Sequence, residues 1–209
     1  MGRRSDHSRD EIRRMALAAA QRRLESGGLP ALTARSVADD IGYAVGTLYN
    51  LFDNLDMLVV HVNGATLDML HDELAPTVTG KSPDSDLAAM LAAYLRFLTE
   101  KGHLWGALFE HRRPGDSAPL PDWYLAKVAR VLGVLESALR PLFPDDDAAG
   151  CAQAARVLWA SLHGICSLGE TGKLPIISAQ SVADMANSLV ENYVAGLRVR
   201  QVKPRAAGE

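Results

Sequence analysis

Cysteine is scarce in this chain, with two among 209 residues. Cys151 and Cys166 lie in what reads as one helix. At about 1.5 Å of rise per residue their backbones would stand roughly 22 Å apart, which excludes an intramolecular disulfide. Both read as small buried hydrophobes. Long apolar runs are also missing: no uncharged stretch reaches the roughly eighteen residues of a membrane span. The basic start Met1-Gly2-Arg3-Arg4 leads into charged, amphipathic sequence and not into a signal-peptide core, so a cytoplasmic location is expected. No Gly-x-Ser-x-Gly elbow, His-Glu-x-x-His pair or glycine-rich phosphate loop is present. His103, Glu110, His111, Asp116 and His163 are chemically able to serve as ligands or acid-base groups. Without ligand spacing they predict no metal site, and neither a cofactor nor catalysis is expected. Glu110-His111-Arg112-Arg113 reads instead as surface charge complementing a helix end.

What is present is a globular composition, 48% hydrophobic and 22% charged. The net charge is −3, but it is unevenly spread: residues 1–30 hold seven Arg against four Asp or Glu. A basic leading segment and an acidic remainder fit a head that meets phosphate and a body that does not.

The patterning is helical throughout, with neither an alternating strand nor an internal repeat. Ser8 and Glu11 have capping-box spacing. Ile12, Met15, Ala16, Ala19 and Leu24 continue as a helical stripe that Gly27-Gly28 ends. Thr33 caps a short second helix with Val37, Ala38 and Ile41 inward, closed by Gly42. A third shows Val45, Leu48, Tyr49 and Phe52 at i, i+3, i+4 and i+7. Asp53-Asn54 stops it and starts a long fourth helix carrying Leu55, Leu58, Val59, Val62, Met69 and Leu70. Pro76 and the Gly80 to Pro83 stretch mark a loop. Further helices are predicted at 84–101, 103–110, 121–141, 146–169 and 178–200. Their separators are Gly102, Arg113-Pro114-Gly115, Pro141 to Asp147, and Gly169 to Pro175. The expected organisation is a head at 1–53, a body at 54–202 and a frayed tail at 203–209.

Two short helices around Gly42-Tyr43 must cross steeply, and their inner residues would share a core with the first helix. That leaves Tyr43, Ala44, Gly46, Thr47 and Asn50 on the outer side, small near the helix start. Such a face suits the DNA major groove, although the pattern alone also fits an ordinary helical hairpin. The run Leu32-Thr33-Ala34-Arg35-Ser36-Val37-Ala38, then Gly42, then Val45-Gly46-Thr47-Leu48-Tyr49-x-x-Phe52-x-Asn54 resembles the DNA-binding signature of TetR-type regulators, over about residues 8–62. The resemblance implies an all-α fold with a helix-turn-helix three-helix head and a helical-bundle body. It implies that Thr47 and Tyr49 touch the DNA backbone and that Thr33 and Arg35 lie near phosphates. Tyr43, Ala44 and Asn50 match the sequence-reading positions. Leu55 stands where the family usually has a Lys, so one ionic contact is missing, with Arg3, Arg4 and Arg9 as candidate substitutes.

In the body, Trp159-x-x-x-His163-Gly164 with Pro121-x-Trp123-Tyr124 resembles a TetR subgroup named for a Trp-His-Gly motif. Trp159 and His163 share a helix face, and Gly164 permits close approach of another helix. Trp105, Phe109, Trp123, Trp159 and His163 are the candidate lining of a cavity for a small apolar effector, although aromatic stripes are more often plain core. The stripes Cys151, Ala155, Leu158, Leu162, Ile165 and Val182, Met185, Leu189, Tyr193, Leu197 are wide enough to bury against their own domain and a partner. The resemblance implies a homodimer through 146–169 and 178–200. The expected partners are therefore double-stranded DNA carrying an inverted repeat, an apolar effector and a second copy of the chain. A helical protein-interaction module and, further off, a metal-dependent enzyme are the competing classes.

Overall fold

In the computed structural model, which describes residues 7–112 and 119–202 (side chains to 200), the first helix opens on the expected capping box. The Glu11 amide donates to the Ser8 hydroxyl at 3.3 Å and the Ser8 amide to the Glu11 carboxylate at 2.6 Å. Among the described residues the chain is all helix, without a strand. It runs α1 (Arg9–Ala31), α2 (Ala34–Ile41), α3 (Val45–Tyr49), α4 (Leu55–Leu74), α5 (Pro83–Glu110), α6 (Asp122–Leu139), α7 (Ala148–Glu170) and α8 (Val182–Val202). Single 3-10 turns lie at Ala75–Thr77, Arg140–Leu142 and Leu174–Ile176. Arg3 and Arg4, Asp116, the Arg113-Pro114-Gly115 separator and the 203–209 tail lie outside the described residues.

Three expected boundaries shift, the last helix opening at Val182 and not at 178. Gly27 and Gly28 do break the first helix, with Gly28 at φ +63, but one helical turn follows and carries the chain to Ala31. Pro30 sits in that turn, where its missing amide has no carbonyl to serve. The stretches 84–101 and 103–110 form one helix bent at Lys101 (φ −128, ψ 29), not two separated at Gly102. The bend falls where Lys101 and His103 meet α1: Lys101 pairs with Glu25 at 3.4 Å, and His103 Nδ1 bonds the Glu25 carbonyl at 2.9 Å.

Contacts group the described residues into two compact units, one up to Met69 with Leu98–Lys127, the other Leu70–Phe97 with Val128 onward. The divisions fall inside α4, α5 and α6. In the first unit, Ile12, Ala16, Ala19, Ala20 and Leu24 of α1 bury against Val37, Ala38 and Ile41 of α2, Leu48 of α3 and Leu58, Val59 and Val62 of α4. Leu104 and Ala107 of α5 complete this core. Each fully buried aliphatic side chain contributes about 1.5–3 kcal/mol of transfer free energy, which is what holds helices this short in place. Arg23 on α1 also grips Asp40 on α2 through two bonds of 2.7 and 2.5 Å, and that guanidinium draws the Asp40 carboxyl below its ordinary range.

In the second unit, α7 packs on α8 with Cys151, Ala154, Ala155, Leu158, Leu162 and Cys166 turned inward. The buried line of α8 is Ala186, Val190, Val194 and Leu197. It runs one position away from the expected Met185, Leu189 and Tyr193, which are left half-buried. Cys166 is deep enough that burial pushes its thiol up to about 11, so it remains protonated and inert. No helix among the described residues is long and apolar enough to cross a membrane.

Candidate nucleic-acid interface

Thr33 does not simply precede α2. Its hydroxyl accepts the Ser36 amide at 3.0 Å while the Ser36 hydroxyl accepts the Thr33 amide at 3.1 Å, a reciprocal cap. The exposed residues Thr33 and Arg35 therefore sit at a fixed helix start, where free amides and a guanidinium favour an anion. At the other end, Gly42 adopts φ +73, a left-handed conformation that Gly takes at least cost. The Tyr43 amide then donates back to Ala38 at 3.0 Å, closing the turn that aims α3.

Ala44 opens α3, its carbonyl accepting the Thr47 amide at 2.9 Å. Leu48 is buried, whereas Ala44, Gly46, Tyr49 and Asn50 are exposed and Tyr43 and Thr47 half-exposed. A Cβ built on Gly46 would meet no atom within 4 Å, so that side of the helix stands open to a ligand backbone. Tyr49 does not join the inner stripe on which its i+4 spacing from Val45 placed it; it is 51% exposed. The helix ends at Tyr49, and the Leu51 and Phe52 amides both fold back onto the Leu48 carbonyl, at 2.9 and 2.8 Å. Leu51 and Phe52 thereby take the inner places. The structure thus brings Tyr43, Ala44, Thr47, Tyr49 and Asn50 onto one short turn-and-helix segment, with Thr33 and Arg35 at the start of the preceding helix.

Beside α3 opens a cleft of about 490 Å³, lined by His7, Arg9, Ile12, Thr47, Asn50 and Leu51. Two cationic or protonatable side chains of α1's leading end share it with the two polar side chains of α3. Arg9, a candidate substitute for the missing Lys, donates to the Asn50 carbonyl at 2.8 Å. His7 Nδ1 bonds the Tyr43 hydroxyl at 2.9 Å. Leu55, at the position usually held by Lys, packs against the apolar core. Asn54 caps α4, its Oδ1 accepting the Met57 amide at 2.8 Å.

Arg13 and His61 were not foreseen from sequence. Arg13 Nη1 donates to the Leu51 carbonyl at 2.8 Å, its Nη2 lies 2.7 Å from His61 Nε2, and its guanidinium covers the Phe52 ring at 4.6 Å. The available signal was the i, i+4 spacing of Arg9 and Arg13, which places both on one face of α1.

The five candidate effector-lining residues divide between the units. In the first, Trp105 is fully buried and packs 5.0 Å from Phe109, itself partly exposed, and Trp123 stacks on His61 at 4.7 Å and 10°. In the second, Trp159 lies 5.4 Å from Tyr94 and lines an apolar cavity with Leu74, Leu91, Leu135, Leu158 and Val190. The cavity measures about 20 Å³, room for about one water. His163 is half-buried one turn beyond Trp159, and that burial lowers its pKa. No group of His, Cys, Asp and Glu able to hold a metal occurs among the described residues.

The profile of the tetracyclin repressor-like C-terminal domain matches residues 87–193. No curated protein sequence matches the chain. Among solved structures, a protein of unknown function from Rhodococcus sp. RHA1 is similar over 94% of this chain and 100% of its own, at 19% identity and TM-score 0.69. A TetR transcriptional regulator from the same organism is similar over 92% and 98%, at 20% identity and TM-score 0.62. The regulator FadR from Bacillus subtilis, solved in complex with stearoyl-CoA, is similar over 88% and 98%, at 16% identity and TM-score 0.61. Identities this low carry the likeness of fold. The family profile spans half of the sequence, and the chain belongs to the tetracyclin repressor-like family as a transcriptional regulator of the TetR type.

Proposed function

We propose that the chain is a cytoplasmic repressor that binds an inverted-repeat operator as a homodimer and is released by a small apolar molecule. In this reading residues 1–53 form the DNA-binding head and 54–202 the effector-binding and dimerising body. The observation that carries it is the outer face of α3, where small and polar side chains stand exposed on a helix whose inner side is locked by Leu48. One such helix covers too little DNA for useful specificity, so two copies related by a twofold axis are required, and the site would share their symmetry.

Dimerisation through α7 and α8 is supported by what these helices leave uncovered. Val157, Ala160, Ser161 and Gly164 make an exposed stripe on α7, and Ser188, Asn192, Gly196 and Val199 one on α8. A Cβ on Gly164 or Gly196 would meet nothing within 4 Å, so both positions leave room for another copy to approach closely. The Trp159 cavity is apolar, but at about 20 Å³ it has to open before it admits an effector; the stearoyl-CoA held by the Bacillus subtilis FadR supports a lipid-like class. Trp105, Phe109, Trp123, Trp159 and His163 are the candidate lining if the interior opens. An effector could change DNA affinity only by binding one arrangement of the heads better than another, through α4, which belongs to both units.

The test is selection of duplexes from a randomised library by the full chain, with sedimentation of the same sample. An inverted repeat and a dimer are expected. Thr47→Ala and Tyr49→Phe should weaken binding to every sequence, because both are assigned to the backbone. Asn50→Ala and Tyr43→Ala should change which sequence is preferred, with a discriminating contact worth about 1–3 kcal/mol. If Asn50→Ala leaves both affinity and preference unaltered, α3 does not present that face to the bases.

A further inference from the structure

We propose that Arg13 is a positioning residue for DNA reading, fastening the end of α3 only while His61 is unprotonated and stacked on Trp123. The inference rests on the DNA-binding reading and adds to it a control that acts within the first unit. Guanidinium nitrogens only donate, so the 2.7 Å contact between Arg13 Nη2 and His61 Nε2 requires a lone pair on that imidazole nitrogen. The same guanidinium donates to the Leu51 carbonyl, two residues beyond α3, while Arg9 holds the Asn50 carbonyl. These are carbonyls of the reading helix's last turn and exit, which have no partner within a helix of five residues. Their position sets how Thr47 and Asn50 are presented.

His61 is itself clamped. Trp123 of α6 stacks flat on one side, and Phe52 meets it edge-on with centroids 5.6 Å apart. Trp123 comes this close only because residue 64 is glycine: a Cβ there would lie 2.7 Å from the indole. The sequence Trp123, His61, Arg13, Leu51 carbonyl is thus a continuous chain of contacts from α6 to the end of the reading helix. Among the charged groups around it, Arg13 of α1 faces the imidazole directly. Among the described residues, α4 also pairs Asp68 with Lys127 and Asp56 with His111 in this unit. Burial first, and the Arg13 charge second, hold His61 below its ordinary 6.5. The clasp is therefore complete at neutral pH and opens as pH falls below 6.5. A protonated ring would lose the acceptor and repel the guanidinium together.

The experiment uses full-length protein and a duplex selected by the wild-type chain from a randomised library at pH 8. Affinity is measured in steps from pH 8 to pH 5, with a circular-dichroism melt at each. Wild type should lose about tenfold in affinity over that range, the cost of one charged hydrogen bond. His61→Gln keeps an acceptor and cannot titrate. It should bind within about twofold of wild type at pH 8 and show a much flatter profile. Arg13→Ala should bind about tenfold more weakly at pH 8, also with a flattened profile. His7, bonded to Tyr43, is another histidine beside α3 among the described residues, and it is unchanged in both variants. A His61→Gln profile as steep as wild type would overturn the proposal, as would a folded Arg13→Ala variant with wild-type affinity. If Arg13→Ala does not fold, the His61→Gln comparison decides alone. If the wild-type chain selects no duplex at all, the DNA-binding reading itself fails, a result distinct from the other two.

Discussion

Val157→Glu should leave the chain folded, make it monomeric and weaken its binding to an inverted repeat by about 10²–10⁴-fold. Val157 is 42% exposed and opens the exposed stripe of α7. Within one chain the substitution is a surface change, worth no more than about 0.5 kcal/mol. In the proposed dimer symmetry puts two such carboxylates into the interface without partners, and an unpaired buried charge is among the costliest changes an interface can suffer. Each head would then bind its half-site alone, without the effective concentration that tethering supplies. Sedimentation velocity, a melt and titrations against a full repeat and a single half-site separate these effects. A dimer at micromolar concentration with undiminished affinity would place the interface away from α7.

Phe52→Ala should lower the stability of the first unit by about 3–5 kcal/mol, a large share of the ordinary total of about 5–15 kcal/mol. Phe52 is 4% exposed, at the point where α3 gives way to α4. Its removal leaves a cavity beside Leu48 and Leu58, takes the aromatic face from beneath Arg13 and frees the edge of His61. Phe52→Leu keeps most of the apolar volume and loses only the ring contacts, so its melt should fall between wild type and the alanine variant. A Phe52→Ala melt equal to that of wild type would mean that the three-helix core does not depend on this ring.

The head was legible because its contacts are short in sequence. Val37, Ala38, Ile41, Leu48 and Phe52 lie within sixteen positions, and a period of 3.6 with Gly42 between them leaves few ways to bury them together. Even there the period draws Tyr49 inward where the resemblance turns it outward: the helix ends at Tyr49, and the chain redirects at the Leu48 carbonyl. The Lys101 bend was placed one residue late because glycine is the stronger sequence signal, although the packing of Lys101 and His103 against Glu25 sets the position. The body's aromatics were harder. Trp123 meets His61 of α4 and Trp159 meets Tyr94 of α5, partners 62 and 65 positions away that no local pattern points to. Arg13 and His61 are likewise far apart in sequence, by 48 positions, and only its i, i+4 spacing from Arg9 sets Arg13 apart from the exposed Arg14 beside it.

The interior around Trp159 is shut in this conformation, and shutness has a kinetic meaning. If that interior is where an effector goes, the effector does not meet a site in solution; it waits for one. Only the open fraction of molecules binds, so the measured dissociation constant exceeds the intrinsic one by the reciprocal of that fraction. Substitutions that loosen the packing of Leu91, Leu135 or Leu158 would then raise sensitivity to effector without adding a single contact to it. The rate of association would also cease to climb with effector concentration, levelling at the rate at which the helices part. Tight packing would then act as a threshold, setting how much of a molecule must accumulate before the cell's DNA is told.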